Sequence, residues 1–506
     1  MRSNRVSDLL LIPAVAAALI AGGCARKEAK APAAAAQPQT AAPADAGKIP
    51  VTTASPEAKA EFLQGRDLFE KLLITDSVAH FERAVALDPN FALAELSLAN
   101  SVPTGSGFFD HLNKAVALAG KASDGERLMI LATQAGANNE TAKQKEYLDQ
   151  LVAAYPNDER AHFNLGGYYF GQQDYANAIE HYKKATELNP TYSTAFNLLG
   201  YAYRQNVDYA SAEKAFQRYV ELIPKDPNPY DSYAELLLKM GRFDEAIAQY
   251  RKALEIDPNF LNAHQGIAMA LLYSGKGADA AVELDNIAKK ARTDGERRTG
   301  LFALTVVDVD GGNMAKALAD VDQQYALGEK TNDVPGMVGD LFLKGNILLE
   351  MGKADDALAQ YEKALKMVQG SNLSDGIKQN NERFIHYNRG RVALVKKDLA
   401  KAKSEADTFQ KAVEASGGAF QKRLAHELLG TIALAEKDYD KAIAELQQAN
   451  QQNPQDLYRL GKAYQGKGDS GKAKEWETKA ADFNSLPNLN YAFVRSKAKA
   501  DSEKKG

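Results

Sequence analysis

A fixed spacing of 34 residues constrains the fold of this chain more than any other feature of its sequence. Gly166 and Gly200 are one spacing apart, and Ala234 follows after one more. Four further columns keep the same register: Tyr169, Tyr203 and Leu237; Ala178, Ala212 and Ala246; Tyr182, Phe216 and Tyr250; and Pro190, Pro224 and Pro258. Five columns in one register over three copies indicate a repeated unit, which buries its apolar face only by stacking on its neighbours.

Each copy predicts a helical hairpin. In the first copy we expect helix A over residues 159–171 and helix B over residues 175–188. Gly166 and Ala178 are small, so we expect them to face each other where the two helices cross. Glycine inside a helix costs up to about 1 kcal/mol relative to alanine, so its recurrence indicates a steric need. Pro190 ends helix B, because proline cannot continue a helix.

The pattern large-x-x-Leu-Gly-x-x-Tyr, followed by Ala-x-x-x-aromatic and then Pro, resembles the tetratricopeptide (TPR) repeat. The resemblance covers most of residues 57–484. It implies an all-α fold: a right-handed superhelical α-solenoid of about twelve TPR-like helical hairpins with a long concave face.

The register divides the chain into six segments. They are a signal peptide (1–23), a lipidated cysteine with a flexible Ala/Pro-rich tether (24–56), an N-terminal TPR block (57–292), a divergent hairpin or kink (293–337), a C-terminal TPR block (338–484), and a capping helix with a charged tail (485–506). Residues 301–309 are rich in β-branched side chains, so a strand is the alternative to the helix that context favours. Leu489 and Phe493 are expected to cover the end of the stack.

The N-terminus predicts export and a lipid anchor. Arg2 and Arg5 precede an apolar run over residues 9–21, which is too short to span a bilayer comfortably. Small residues directly before Cys24 resemble the bacterial lipoprotein signal, in which the cysteine is acylated, with palmitate among the chains. Without acylation this single cysteine would be a free thiol or an intermolecular disulfide. Ala25 favours the outer membrane facing the periplasm over the inner membrane, which remains the alternative.

The sequence carries no pattern for catalysis, a cofactor or a metal. It has no P-loop, dinucleotide fingerprint or G-x-S-x-G, and a formal net charge of −4 gives no sign of nucleic-acid binding. Residues 308–313 resemble a calcium loop but lack its later ligands, so we expect a turn. Four histidines share the fourth column of helix A and are expected to be half-buried core residues: His162, His264, His386 and His426.

The inner wall is where a function can lie. In the TPR family, columns two, five, nine and twelve of helix A line the groove, which implies these candidate peptide-binding residues: Arg160, Phe163, Phe170, Asn197, Tyr201, Arg204, Asn228 and Asp231. We expect Phe163 and Tyr201 to anchor a peptide. Arg204 would meet a carboxylate, and Asn197 would bond the peptide backbone. The alternative is an ordinary hydrated surface.

The sequence therefore predicts a membrane-anchored TPR scaffold, not an enzyme, that binds a protein or peptide partner in the cell envelope. One alternative is a structural subunit of an envelope assembly, secretion or pilus machine. Another is a substrate-binding accessory of an envelope enzyme or polysaccharide system. The oligomeric state is left open.

Overall fold

The structure is a computed structural model that describes residues 47–71, 73–102, 105–138, 140–291, 294–371, 373, 375–416 and 419–504. The predicted signal peptide and Cys24 lie outside these residues. Within them the chain is all-α, as predicted, and no strand occurs.

Consecutive helices in the described residues form twelve hairpins, and a single helix follows them. The helices are α1 Pro56–Glu70, α2 Ile74–Leu87, α3 Ala92–Ser101, α4 Gly105–Leu118, α5 Asp124–Ala137, α6 Thr141–Ala154, α7 Glu159–Gly171, α8 Tyr175–Leu188, α9 Ser193–Gln205, α10 Tyr209–Leu222, α11 Pro227–Lys239, α12 Phe243–Ile256, α13 Leu261–Tyr273, α14 Gly277–Lys290, α15 Asp294–Asp310, α16 Met314–Thr331, α17 Val334–Glu350, α18 Ala354–Gln369, α19 Asp375–Val395, α20 Leu399–Ser416, α21 Ala419–Ala435, α22 Tyr439–Leu446, α23 Pro454–Lys467, α24 Ser470–Ala481 and α25 Leu489–Ser502. A 3₁₀ turn, Ala119–Lys121, follows α4.

The helices belong to two compact units. The first unit ends at Ser232 and the second begins at Tyr233, so the division falls within α11. The predicted divergent region, residues 293–337, does not coincide with this division, because α15 and α16 form a hairpin of the second unit. The β-branched stretch over residues 301–309 is helical, as its context predicted.

From α7 onwards, the turn inside each hairpin follows one pattern. A residue in the left-handed backbone region precedes helix B, as at Val207 (φ 63°) and Gly275 (φ 86°). An aspartate then caps several of the B helices: Asp174 accepts a hydrogen bond from the backbone N–H of Asn177. Such caps satisfy backbone donors that the first helical turn leaves without partners, and they fix where helix B begins.

The glycine column is covered by aromatic rings. A Cβ on Gly166 would lie 2.8 Å from the ring of Tyr182, and a Cβ on Gly200 would lie 2.7 Å from the ring of Phe216. The steric need for glycine is therefore confirmed. The predicted facing residue was wrong by one turn of helix B, because the ring of Tyr182, rather than Ala178, covers Gly166.

The folded part begins before α1. In the first unit, the backbone N–H of Ile49 donates to Asp158 (2.8 Å) and that of Thr52 donates to Glu126 (2.8 Å). Lys48 pairs with the carboxylate of Glu159. The last residues of the predicted tether thus lie against the N-terminal ends of α5 and α7.

The last helix, α25, does more than cover the end of the stack. In the second unit it packs against α24 and also against α15, far earlier in the chain. Leu489 and Phe493, which were expected to cover the end of the stack, are buried with Val306 of α15 and Ile347 of α17. Tyr491 instead packs against residues of α23 and α24.

Candidate peptide-binding site

All eight predicted wall residues lie in the first unit, on α7, α9 and α11. Four of them are half-buried: Arg160, Phe163, Phe170 and Arg204. The other four are buried: Asn197, Tyr201, Asn228 and Asp231. The wall is therefore more enclosed than a surface of exposed side chains.

Arg160 already has a partner within the chain. Its Nε donates to Oε1 of Glu70, the last residue of α1, at 2.7 Å, and it also pairs with Glu159. The main-chain carbonyl of Glu70 accepts hydrogen bonds from Ser193 Oγ (2.9 Å) and from Thr194 Oγ1. Burial raises the pKa of Glu70, against the opposing effect of Arg160. Arg160, Ser193 and Thr194 thus bind Glu70 of the same chain through its side-chain carboxylate and its main-chain carbonyl.

A second group of wall residues is joined across α9 and α11. The hydroxyl of Tyr201 donates to Oγ of Ser232 (3.2 Å), which in turn donates to Oδ1 of Asn228 (3.4 Å). The guanidinium of Arg204 lies 4.7 Å above the ring of Tyr201, a cation–π arrangement. The ring of Tyr201 also packs edge-on against Phe216. Tyr201 therefore holds successive hairpins together as well as lining the wall.

Two further wall residues, Phe163 and Phe170, pack against aromatic rings. Phe163 packs against Tyr182 and Tyr192, with ring centroids 5.7 and 5.1 Å away. Phe170 packs edge-on against Tyr175. The structure therefore does not gather the eight residues into one cluster but spreads them along three helices.

Asn197 is the most informative member of the wall. Its side chain is 5% exposed, and its Oδ1 atom has no hydrogen-bond partner among the described residues. A buried acceptor without a donor costs about 1–3 kcal/mol. An N–H group of a bound peptide is the kind of donor that would remove this cost.

The sequence reasoning missed what the histidines do. All seven histidines of the chain lie at one pair of positions, the fourth repeat column on helix A and the residue that faces it on helix B. Five hairpins pair a histidine Nδ1 with a glutamate at 2.5–2.7 Å. The sequence signal was present, since a glutamate follows His264, His386 and His426 at the same distance of 19 residues.

Neither a metal centre nor a membrane span appears in the described part of the chain. No group of three or more His, Cys, Asp or Glu side chains there is placed to hold a metal ion. No helix there combines the length and the apolar character that crossing a bilayer requires. The turn predicted over residues 308–313 is confined to residues 311–312, because residues 308–310 form the end of α15. Asp310 pairs with Arg495 of α25.

Stacked helical hairpins define a repeat solenoid, a class whose members present extended binding surfaces. Sequence profiles described as tetratricopeptide repeat match residues 131–193, 168–227, 237–301, 342–420 and 425–456. These matches together cover more than half of the chain, which therefore belongs to the tetratricopeptide-repeat proteins. This family is generally non-enzymatic and typically serves as protein-interaction scaffolds.

Solved structures resemble the chain in part. A crystal structure of MamA protein is 24% identical and aligns 34% of this chain with 97% of its own, at a TM-score of 0.30. A tetratricopeptide repeat protein from Parabacteroides merdae is 19% identical, covering 54% of this chain and 98% of its own, at 0.35. A human IFIT1 dimer with m7Gppp-AAAA is 15% identical, covering 85% and 90%, at 0.39. All three scores lie below 0.5, so we draw no functional inference from them. Curated protein sequences give no match.

Proposed function

We propose that this protein is a lipid-anchored scaffold of the cell envelope, and that the inner wall of its first unit binds an extended segment of a partner protein. Cys24 would carry the anchor, and the wall formed by α7, α9 and α11 would hold the peptide. A partner whose chain carries an acidic side chain suits this wall best.

The observation that carries the proposal is the binding of Glu70 by the wall itself. Two hydroxyl groups of α9 hold its main-chain carbonyl, and Arg160 of α7 holds its carboxylate. These are the contacts that recognise an extended acidic peptide. The buried Oδ1 of Asn197, on the same face of α9, supports the proposal because it needs a donor that the described chain does not supply.

Photocrosslinking tests the proposed wall in the full-length protein. p-Benzoylphenylalanine in place of Phe170, which is half-buried on the wall, should give a discrete adduct with a partner in intact cells. The same residue in place of Lys184, exposed on α8 of the same hairpin, is the matched control. The proposal fails if position 170 gives no adduct, or if position 184 gives the same one.

Asn197→Leu separates binding from folding. Leucine is close to asparagine in size and removes the buried acceptor, so the melting temperature should stay the same or rise. The adduct at position 170 should nevertheless fall by about tenfold, the effect of one lost hydrogen bond of about 1.4 kcal/mol. An undiminished adduct in the folded variant would exclude Asn197 from the binding site.

The anchor needs its own experiment. Cys24→Ser should move the protein from the membrane fraction to the soluble fraction, or leave it unprocessed, and should abolish labelling by radioactive palmitate. Membrane association that survives the substitution would contradict the lipoprotein proposal while leaving the peptide wall untouched.

A further inference from the structure

One hairpin departs from the histidine–glutamate arrangement that five others share. In α7–α8 both positions of the pair are histidine, and Nδ1 of His162 lies 3.2 Å from Nδ1 of His181. The equivalent hairpin α13–α14 places Nδ1 of His264 2.5 Å from a carboxylate oxygen of Glu283. The same place in the repeat thus holds a histidine–carboxylate pair in five hairpins and two histidines in one.

Hydrogen bonding fixes the protons of the two-histidine pair. Nε2 of His162 lies 3.0 Å from the carbonyl oxygen of Pro156, which can only accept, so Nε2 carries the proton of the neutral ring. Nδ1 of His162 is then an acceptor, and Nδ1 of His181 donates to it. Protonating both rings fully would place two N–H groups head-on, 3.2 Å apart, together with two positive charges.

The glutamate pairs give the histidine a different set of hydrogen-bond partners. His264 faces the carbonyl oxygen of Pro258 at 3.2 Å and the carboxylate of Glu283, and both partners only accept. An imidazolium with two N–H groups satisfies both. At Glu61, which faces His80, the hydrogen bond from histidine lowers the pKa of the carboxyl group. In these pairs a second proton on the histidine therefore brings no two N–H groups face to face.

The surroundings of His181 contain charges of both signs. Lys145 and Asp149 act on it from α6, and Glu180 acts from its own helix, while the ring of Tyr169 stacks on it 5.6 Å away. Burial lowers the pKa of His181, and His162 lowers it further. A group with a lowered pKa binds fewer protons in the folded state, so the hairpin loses stability as the pH falls below about 6.5.

We infer that α7–α8 is an acid-sensitive hairpin, and that mild acidification loosens it and releases a partner from the wall. The second part rests on the proposed function, because α7 carries Arg160, Phe163 and Phe170. The partner would therefore be held at neutral pH and set free in a mildly acidic compartment or medium. Hairpins with a glutamate in the pair would stay closed over the same range.

Hydrogen exchange of the full-length protein at pH 7.5 and pH 5.5, corrected for intrinsic exchange rates, tests whether the α7–α8 hairpin is acid-sensitive. Amide protection over residues 159–188 should fall by roughly tenfold on acidification. His181→Glu, which installs the pair found in the other hairpins, should remove this fall. His162→Glu gives the reverse order, already present as Glu61 and His80, and is the second variant should the first fold poorly. Equal protection at the two pH values in the wild type would overturn the inference.

A transplant supplies the positive control, and crosslinking separates the two proposals. Glu445→His creates two facing histidines in α21–α22 and should make that hairpin acid-sensitive; an unchanged hairpin would count against the mechanism. The adduct at position 170 should weaken at pH 5.5 in the wild type but not in His181→Glu. If the hairpin loosens while the adduct persists, the wall on α7 is not the binding site, although the acid-sensitive hairpin stands. If the adduct weakens equally in both proteins, the histidine pair is not the cause.

Discussion

Gly200→Leu tests the packing on which the whole repeat depends. The Cβ of residue 200 would lie 2.7, 2.8 and 2.9 Å from three carbon atoms of the Phe216 ring, where ordinary contact begins at 3.4 Å. The ring would have to move by about 0.7 Å even for a methyl group, and Phe216 is completely buried. A leucine adds three more carbon atoms at the same place. Overpacking of this kind costs about 1–3 kcal/mol.

Gly171→Leu is the matched control, because a Cβ on Gly171 has nothing within 4 Å and the residue is also helical. Replacing a helical glycine gains up to about 1 kcal/mol of helix propensity, so subtracting the two variants leaves mainly the steric cost. Urea unfolding followed by circular dichroism should place Gly200→Leu about 1–3 kcal/mol below Gly171→Leu. Equal free energies of unfolding would show that the glycine column does not mark the crossing of helices A and B.

Three further predictions concern a turn, the last helix and one buried carboxyl group. Val207→Gly should raise the melting temperature, because Val207 has a φ of 63° that costs an L-residue about 1–2 kcal/mol. Gly275→Val, at a φ of 86°, should lower the melting temperature. A shift of the melting temperature in the same direction for both variants would contradict this reasoning. Asp310→Ala should reduce amide protection throughout α25 by about tenfold or more, since it leaves the guanidinium of Arg495 without its two-pronged partner. Burial and a neighbouring aspartate raise the pKa of Asp320 to about 6, so stability falls as the pH rises from about 4 through 6; Asp320→Asn should lose this dependence and be the more stable protein at pH 7 in urea unfolding.

The repeated columns made the hairpins predictable because their causes are local. A glycine that admits a ring, and a proline that ends a helix, act within one hairpin, and the 34-residue spacing repeats both. The helices of the three clean copies therefore begin and end where the sequence placed them, as α7 and α8 show. The error about Ala178 arose because residues four apart share one face of helix B, so the pattern alone did not decide which of them covers Gly166.

Contacts between distant hairpins could not be predicted in this way. Ser193 bonds the carbonyl of Glu70, 123 residues earlier, and Arg495 binds Asp310, 185 residues earlier. Such contacts depend on the small rotation between successive hairpins, which accumulates along each unit and is not written in any one column. The contact of Glu70 with the candidate wall could therefore not be foreseen from the sequence.

In the six hairpins that carry a histidine, the pair of side chains is kept while the residue types at its two positions vary. Glu61 faces His80 across α1–α2, whereas His264 faces Glu283 across α13–α14, so the two residue types exchange places while the contact is kept. A contact that survives this exchange is satisfied by complementary hydrogen bonding and charge and not by shape. Two histidines meet the hydrogen-bonding requirement only while they are not both protonated. The α7–α8 pair therefore keeps the packing of the repeat at neutral pH and gives it up in acid, which makes pH the variable that separates this hairpin from its neighbours.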